Sequence, residues 1–153
     1  MTAGYSGTPL AKKLGVKTGS SVFVSGTPVP YEQLLAPIPA DVNMQSAIDS
    51  STDLVHLFAD SKAELASALK KSLQNLRPDG VVWVSWPKKA SKVPTDITED
   101  TIRELAFPLG LVDIKVCAVD HIWSGLKLVT RKDLRPGNFG DKKRRGKKKK
   151  GTS

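Results

Sequence analysis

Cysteine is nearly absent from this sequence: among 153 residues there is one, Cys117. A single thiol excludes an intramolecular disulfide and any cysteine-rich zinc site, and it suits a reducing compartment such as the cytoplasm. Histidine is almost as scarce. His56 lies inside an apolar string and His121 between two strand-like segments, and neither stands in an arrangement that defines a nucleophile with its base. Long apolar runs are also missing. The N-terminal stretch has no apolar signal-peptide core, and nothing approaches the roughly 20 apolar residues of a transmembrane helix. A soluble, cytoplasmic chain without membrane association is therefore expected, with no metal set and no catalytic residue to name.

Acidic residues are missing from one place in particular. The chain holds 24 Lys and Arg against 15 Asp and Glu, but residues 131–153 alone contain 11 basic residues and two acidic ones. What remains is 13 against 13, so the high isoelectric point belongs to the C-terminal segment and the body is neutral. A length of 153 residues accommodates one domain of ordinary size. The expected organisation is a flexible N-terminus at 1–8, one α/β domain at 9–130 and a disordered basic tail at 131–153, because a Lys-, Arg- and Gly-rich segment buries too little apolar surface to offset the entropy of ordering.

Periodicity supplies the elements of the body. Pro9 opens a short helix in which Leu10 and Leu14 face the core, and Gly15 ends it. SSVFVSG reads as a first strand ending at Gly26. TPVPYEQLLAPIPAD contains four prolines, which confine any helix to YEQLLA. DVNMQSAI is a strand candidate, and TDLVHLFA reads as a strand covered on both faces. Ser61 and Glu64 form a capping box ahead of Leu65, Leu69, Leu73 and Leu76, one stripe of an amphipathic helix. VVWVSW is the next strand. After the basic string PKKASKVPTDITED, with Asp96 and Glu99 spaced as a cap, Ile102, Leu105, Ala106 and Leu109 share a helical face. LVDIKVCAVD and WSGLKLVTR are separated by too few residues for a crossover and form an antiparallel pair. Cys117 in the first of these strands reads as a buried small hydrophobe. Alternation of strand and helix followed by a hairpin predicts a three-layer Rossmann-like sheet, mostly parallel, with a C-terminal antiparallel hairpin.

This order of elements resembles a reduced methyltransferase of the Rossmann-like type, and Leu76-Arg77-Pro78-Asp79-Gly80 is similar to the phrase that precedes the fifth strand in that family. The family implies a Gly-x-Gly loop after strand one and an acid ending strand two, which hold S-adenosylmethionine. Here the loop is SGTPVP, with Gly26 alone, and VNMQSA ends without an acid, Asp49 following later. No cofactor is therefore expected, and the fold implies a degenerate methyltransferase-like protein. Other strings, Gly4-Tyr5-Ser6-Gly7-Thr8-Pro9-Leu10, WVSWPKKASKVPTDITED, Val116-Cys117-Ala118-Val119-Asp120 and Trp123-Ser124-Gly125-Leu126-Lys127, resemble the bacterial family catalogued as domain of unknown function 3052. That resemblance implies an uncharacterised cytoplasmic protein with no catalytic residue to carry over.

Two candidate sites follow from the residues. Lys88, Lys89, Ser91 and Lys92 come just after a central strand, at the carboxyl edge where open α/β sheets bind ligands, and Gly26 and Thr27 should lie at the same edge. Such a loop suits a small anion or a nucleotide-type ligand, with Trp86 and Trp123 flanking it; the same composition also suits a solvated surface loop. Asp53, Asp113 and Asp120 stand at strand ends, where turns favour aspartate, and define no carboxylate pair. In the tail, Lys142, Lys143, Arg144, Arg145, Lys147, Lys148, Lys149 and Lys150 place eight cations in nine positions. Such a cluster binds RNA or DNA phosphates by releasing counterions, without reading bases, or serves solubility alone. The leading expectation is a non-enzymatic protein that contacts nucleic acid through this tail, and the alternative is a binder of a small anionic ligand.

Overall fold

In the computed structural model, which describes residues 8–134, the first element is helix α1 (Leu10–Leu14). Five residues are too few for an isolated helix to be stable in water, and tertiary contacts hold this one. Ala11 and Leu14 are buried, and Nε1 of Trp83 donates to the Leu14 carbonyl at 2.8 Å. Gly15, at φ 86°, ends the helix in the left-handed conformation. Strand β1 (Ser21–Ser25) follows, then the short helix α2 (Tyr31–Leu35), kept short by flanking prolines.

Strand β2 (Asn43–Gln45) has three residues, and its brevity makes the next connection feasible. A crossover between parallel strands normally takes a dozen or more residues, yet only residues 46–53 join β2 to β3 (Leu54–Phe58) across β1. A short strand leaves little length to retrace, and Ile48 packs into the core on the way. Hydrogen bonds brace this segment: the Thr52 hydroxyl donates to Oε1 of Gln45 at 2.5 Å, and the Ser51 amide to Oδ1 of Asp49 at 2.8 Å.

Helix α3 (Lys62–Leu73) starts at Ser61, whose hydroxyl accepts from the Glu64 amide at 3.1 Å. The return bond of a full capping box is not among the described hydrogen bonds. Instead the Asp96 carboxylate accepts from the Lys62 amide at 2.6 Å. Asp96 thus caps α3 and not, as its spacing from Glu99 suggests, α4 (Glu99–Ala106). The N-cap of α4 is Thr98, the last extended residue, accepting from the Thr101 amide at 3.2 Å. Leu65 and Leu69 are fully buried, each contributing about 1.5–3 kcal/mol relative to exposure, and Leu73 and Leu76 pack on the same cluster.

Strands β4 (Val81–Pro87), β5 (Leu111–Ala118) and β6 (Trp123–Thr130) complete a six-stranded sheet in the order β2-β1-β3-β4-β6-β5. The first four are parallel, and β6 runs antiparallel to both β4 and β5. α1 and α2 pack over Leu54, Phe58 and Trp83 on one face; α3 and α4 pack over Val55, Leu57, Val82 and Val84 on the other. This is the three-layer, mostly parallel sheet with a C-terminal hairpin that the sequence predicts, and every residue of β3 is buried. Cys117 departs from expectation. It is half-buried rather than buried, because β5 is an edge strand.

Ordered contacts continue past the expected boundary at 130. The Arg131 amide donates to the Gly110 carbonyl at 2.8 Å, its guanidinium bonds the Phe107 carbonyl at 2.9 Å and lies 4.5 Å from the Phe107 ring centroid, and Leu134 packs on Gly110. Among the described residues no helix is long and apolar enough to cross a membrane. The basic cluster at 142–150 lies outside the described residues.

Candidate functional site

The loop between β4 and α4 is anchored at one end and charged at the other. The Thr95 hydroxyl donates to the Asp60 carbonyl at 2.7 Å, Asp96 caps α3, and Ile97 is buried in the core. These contacts clamp the second half of the loop onto α3. The first half, a single 3₁₀ turn at Lys89–Ser91, stands away from the core with Lys89 and Lys92 exposed. A cleft of about 790 Å³ opens between the halves, lined by Lys88, Lys89, Lys92, Val93, Thr98 and Arg103, with Trp86 and Ile97 as its apolar floor.

The charges around this cleft are unequal in their commitments. Arg103 spreads its guanidinium over three carboxylates, with Nε 3.1 Å from Asp113, one terminal nitrogen 2.9 Å from Asp100 and the other 2.7 Å from Glu99. Those bonds, to Asp113 first, raise its already high pKa, so it stays charged. Glu99 and Asp100, the two acids of the lining, are thereby held. Lys88, Lys89 and Lys92 form no ion pair among the described residues, which leaves one wall of the cleft positive. Lys92 is further distinguished by a left-handed backbone, φ 62°, a conformation that costs a side-chain-bearing residue about 1–2 kcal/mol.

Not every residue expected at this edge converges there. Trp86 is 6 % exposed and belongs to the core, presenting an edge to the cleft. The Ser91 hydroxyl donates to the Lys88 carbonyl at 2.7 Å and accepts from the Val93 amide, which makes it a turn former outside the lining. The Thr27 hydroxyl is similarly engaged by the Val29 carbonyl at 2.7 Å. Gly26 lines a separate cavity of about 370 Å³ with Phe58, Asp60, Glu64 and Trp123. The loops at 26–28 and 87–92 therefore share an edge but not a pocket. Side chains alternate along a strand, so the neighbours Trp123 and Ser124 line different cavities.

Sequence reading missed one buried constellation. His56 is fully buried, with the Tyr31 hydroxyl 2.6 Å from Nδ1 and the Ser85 hydroxyl 2.7 Å from Nε2. Burial lowers its pKa to about 3 and raises that of Tyr31. Both ring nitrogens are satisfied, as a buried imidazole requires, and His56 lines none of the cavities described above. The partners lie 25 and 29 residues away, so no local pattern announces them. A second such contact is Arg77, which bonds Oδ1 of Asp53 and the Thr52 carbonyl, both at 2.6 Å, tying the start of β4 to the start of β3. Asp113 is held by Arg103, and Asp120 accepts from the Ile122 and Trp123 amides.

Comparison with other proteins gives three results. A family model described as "Protein of unknown function (DUF3052)" matches residues 35–132. Among curated proteins none is detectably similar. Solved structures share the fold: a candidate type 11 methyltransferase from Sulfolobus solfataricus superposes with TM-score 0.54 at 17 % identity, covering 80 % of this chain and 89 % of that one. The B. subtilis tRNA methyltransferase TrmK gives 0.51 at 10 % identity, over 80 % of this chain and 65 % of its own. TrmN from Thermus thermophilus gives 0.51 at 12 % identity, over 80 % and 47 %. The chain thus spans less than two thirds of TrmK and of TrmN, and nearly nine tenths of the Sulfolobus protein.

The methyltransferase fold implies S-adenosylmethionine, and the residues present do not fit it. A Cβ on Gly26 would lie 2.4 Å from the Phe58 carbonyl oxygen, so that glycine serves contact between chain segments. Pro28 and Pro30 offer no amide donors, and Thr27 is engaged. At the end of β2, Gln45 is bonded to Ser51 and Thr52, and Asp49 to Ser51.

Proposed function

This chain belongs to the DUF3052 family of proteins of unknown function, and on that premise we propose that its folded domain is a non-catalytic binding module that takes a small anionic ligand, a phosphate or nucleotide-type group, in the cleft beside β4. One observation carries this reading: Lys88, Lys89 and Lys92 line a cleft of about 790 Å³ and form no ion pair among the described residues, while the acids opposite are held by Arg103. An anion placed there meets three ammonium groups with no ion-pair partner to surrender among the described residues, and the floor of Trp86 and Ile97 accepts an apolar portion. A thermal-shift series with inorganic phosphate, mononucleotides and S-adenosylmethionine tests it. A phosphate-bearing compound at 100 times its dissociation constant should stabilise the protein by about 2.7 kcal/mol, and Lys88→Gln, Lys89→Gln and Lys92→Gln together should abolish the shift. A shift that persists in that variant, or none with any phosphate compound, refutes the reading.

A second reading rests on the tail, where eight cations occupy nine positions from 142 to 150. It assigns the chain non-specific contact with RNA or DNA. About six phosphate contacts would give a slope of log affinity against log salt of roughly −4 to −5. Replacing the eight residues by glutamine should flatten that slope, and an unchanged slope would exclude the tail.

A further inference from the structure

The body is neutral in total, yet its lysines are not evenly spread. Lys115 on β5 lies directly opposite Lys127 on β6, an arrangement in which Cβ atoms are about 4.5–5.5 Å apart and like charges destabilise the sheet. Lys127 is also directly opposite Trp83, whose ring is bonded to α1, so the pair stands on the α1 face. Lys127 shares with Lys17 the lining of a cavity of about 600 Å³ at the amino edge of the sheet, beside Thr18 and Ser20. Lys13 of α1 donates to the Ala118 carbonyl at 3.0 Å, and both Lys13 and Lys115 lie near enough to Cys117 to act on its thiol. The four lysines therefore form one contiguous surface.

The acid nearest to hand is already committed. Asp53 is the one carboxylate of the cavity lining, and its oxygens are taken by the Ser21 amide at 2.8 Å and by Arg77 at 2.6 Å. Among the described residues Lys17, Lys115 and Lys127 form no ion pair. Two opposed ammonium groups kept without a counter-charge on a neutral domain are a standing cost that an external polyanion would relieve.

We propose that Lys13, Lys17, Lys115 and Lys127 form a docking surface for the phosphodiester backbone of a nucleic-acid duplex. A duplex fits better than a single strand, because single-strand sites add aromatic platforms on which bases stack. Here Trp83 beneath the lysines is fully buried, and Phe107, the large exposed aromatic among the described residues, lies under Arg131 beside α4. Contacts of this kind position a duplex without reading its sequence. The surface lies on the α1 face of the sheet, whereas Trp86, Ile97 and α4 line the cleft on the other face, and the inference does not depend on the cleft's ligand.

The test measures binding of the full chain to a random-sequence duplex DNA across a salt series. Lys17→Gln, Lys115→Gln and Lys127→Gln together should make the log–log slope shallower by roughly 2–3, about 0.9 for each phosphate no longer neutralised. Lys62→Gln, Lys70→Gln and Lys71→Gln remove the same charge from exposed positions of α3, outside both the cleft and this surface, and should leave the slope unchanged. The tail is present in every arm, so its contribution cancels. The amino-edge variant should melt no lower than the parent, since it removes the opposed lysines. An unchanged slope in that variant overturns the proposal while leaving the tail and the cleft untouched as readings. Equal flattening by both triple variants also overturns it, by reducing the effect to net charge. Tighter lysine-dependent binding to the isolated single strand, or to anionic lipid vesicles, overturns the choice of partner.

Discussion

Acidification from pH 6.5 to 4.5 should destabilise this domain mainly through one side chain, His56. In the fold its imidazole ionises only near pH 3, because burial excludes the charged form; in the unfolded chain an ordinary histidine ionises near 6.5. Below pH 6.5 the unfolded state therefore binds a proton that the folded state refuses, and stability falls by about 1.36 kcal/mol per pH unit until the folded pKa is reached. Because the unfolded ring is already half-protonated at pH 6.5, the loss over the two units to pH 4.5 is roughly 2.3 kcal/mol, a large part of a typical total of about 5–15 kcal/mol. Asp49 and Asp53 have pKa values lowered by hydrogen bonds, from Ser51 and from the Ser21 amide respectively. Their contribution is present above the ordinary carboxylate pKa near 4 and is lost beneath it, so it leaves the histidine window clear. Urea denaturation followed by tryptophan fluorescence at half-unit pH steps measures the slope. His56→Gln, which keeps a hydrogen-bonding side chain without a titrating ring, should be less stable at pH 7.5 yet lose the excess slope between 6.5 and 4.5. A flat profile in the parent, or the same slope in the variant, would show that the ring is not a buried neutral group.

Two further substitutions probe the backbone around the candidate sites. Gly26→Ala should cost at least about 1–3 kcal/mol, since it adds strain at φ 76° and sets a Cβ against the Phe58 carbonyl oxygen; a variant as stable as the parent in urea would remove the reason given for that glycine. Lys92→Gly should raise stability by about 0.5–1 kcal/mol, by relieving a left-handed lysine, while weakening anion binding in the cleft. If the melting temperature falls instead, the strain at Lys92 is not what the dihedral indicates.

How much of this was legible beforehand can be judged element by element. The stripe of Leu65 and Leu69, the fully buried TDLVHLFA strand and the short connection between β5 and β6 are local patterns whose physics is complete within a dozen residues, and each forms as read. The lysines after β4 were legible as a charged loop at the carboxyl edge for the same reason. Asp96 was not, because a carboxylate caps whichever helix end folding brings to it, and that end belongs to α3, 34 residues earlier in the chain. Gly26 and Lys88 follow different strands, β1 and β4, with β3 between them in the sheet, and they line separate cavities, a spacing that only the strand order decides.

By itself, then, the sequence determined the order and type of the elements, the neutrality of the body, the basic character of the tail and the family resemblance, since composition and periodicity are properties of the chain alone. Only the tertiary structure decided which charges meet. It joined His56 to Tyr31 and Ser85, spread Arg103 over three carboxylates and left the lysines of the cleft without an ion pair among the described residues. It also set Lys115 against Lys127. Electrostatic and hydrogen-bond partnerships act over a few ångströms in space, and sequence separation carries no record of that distance.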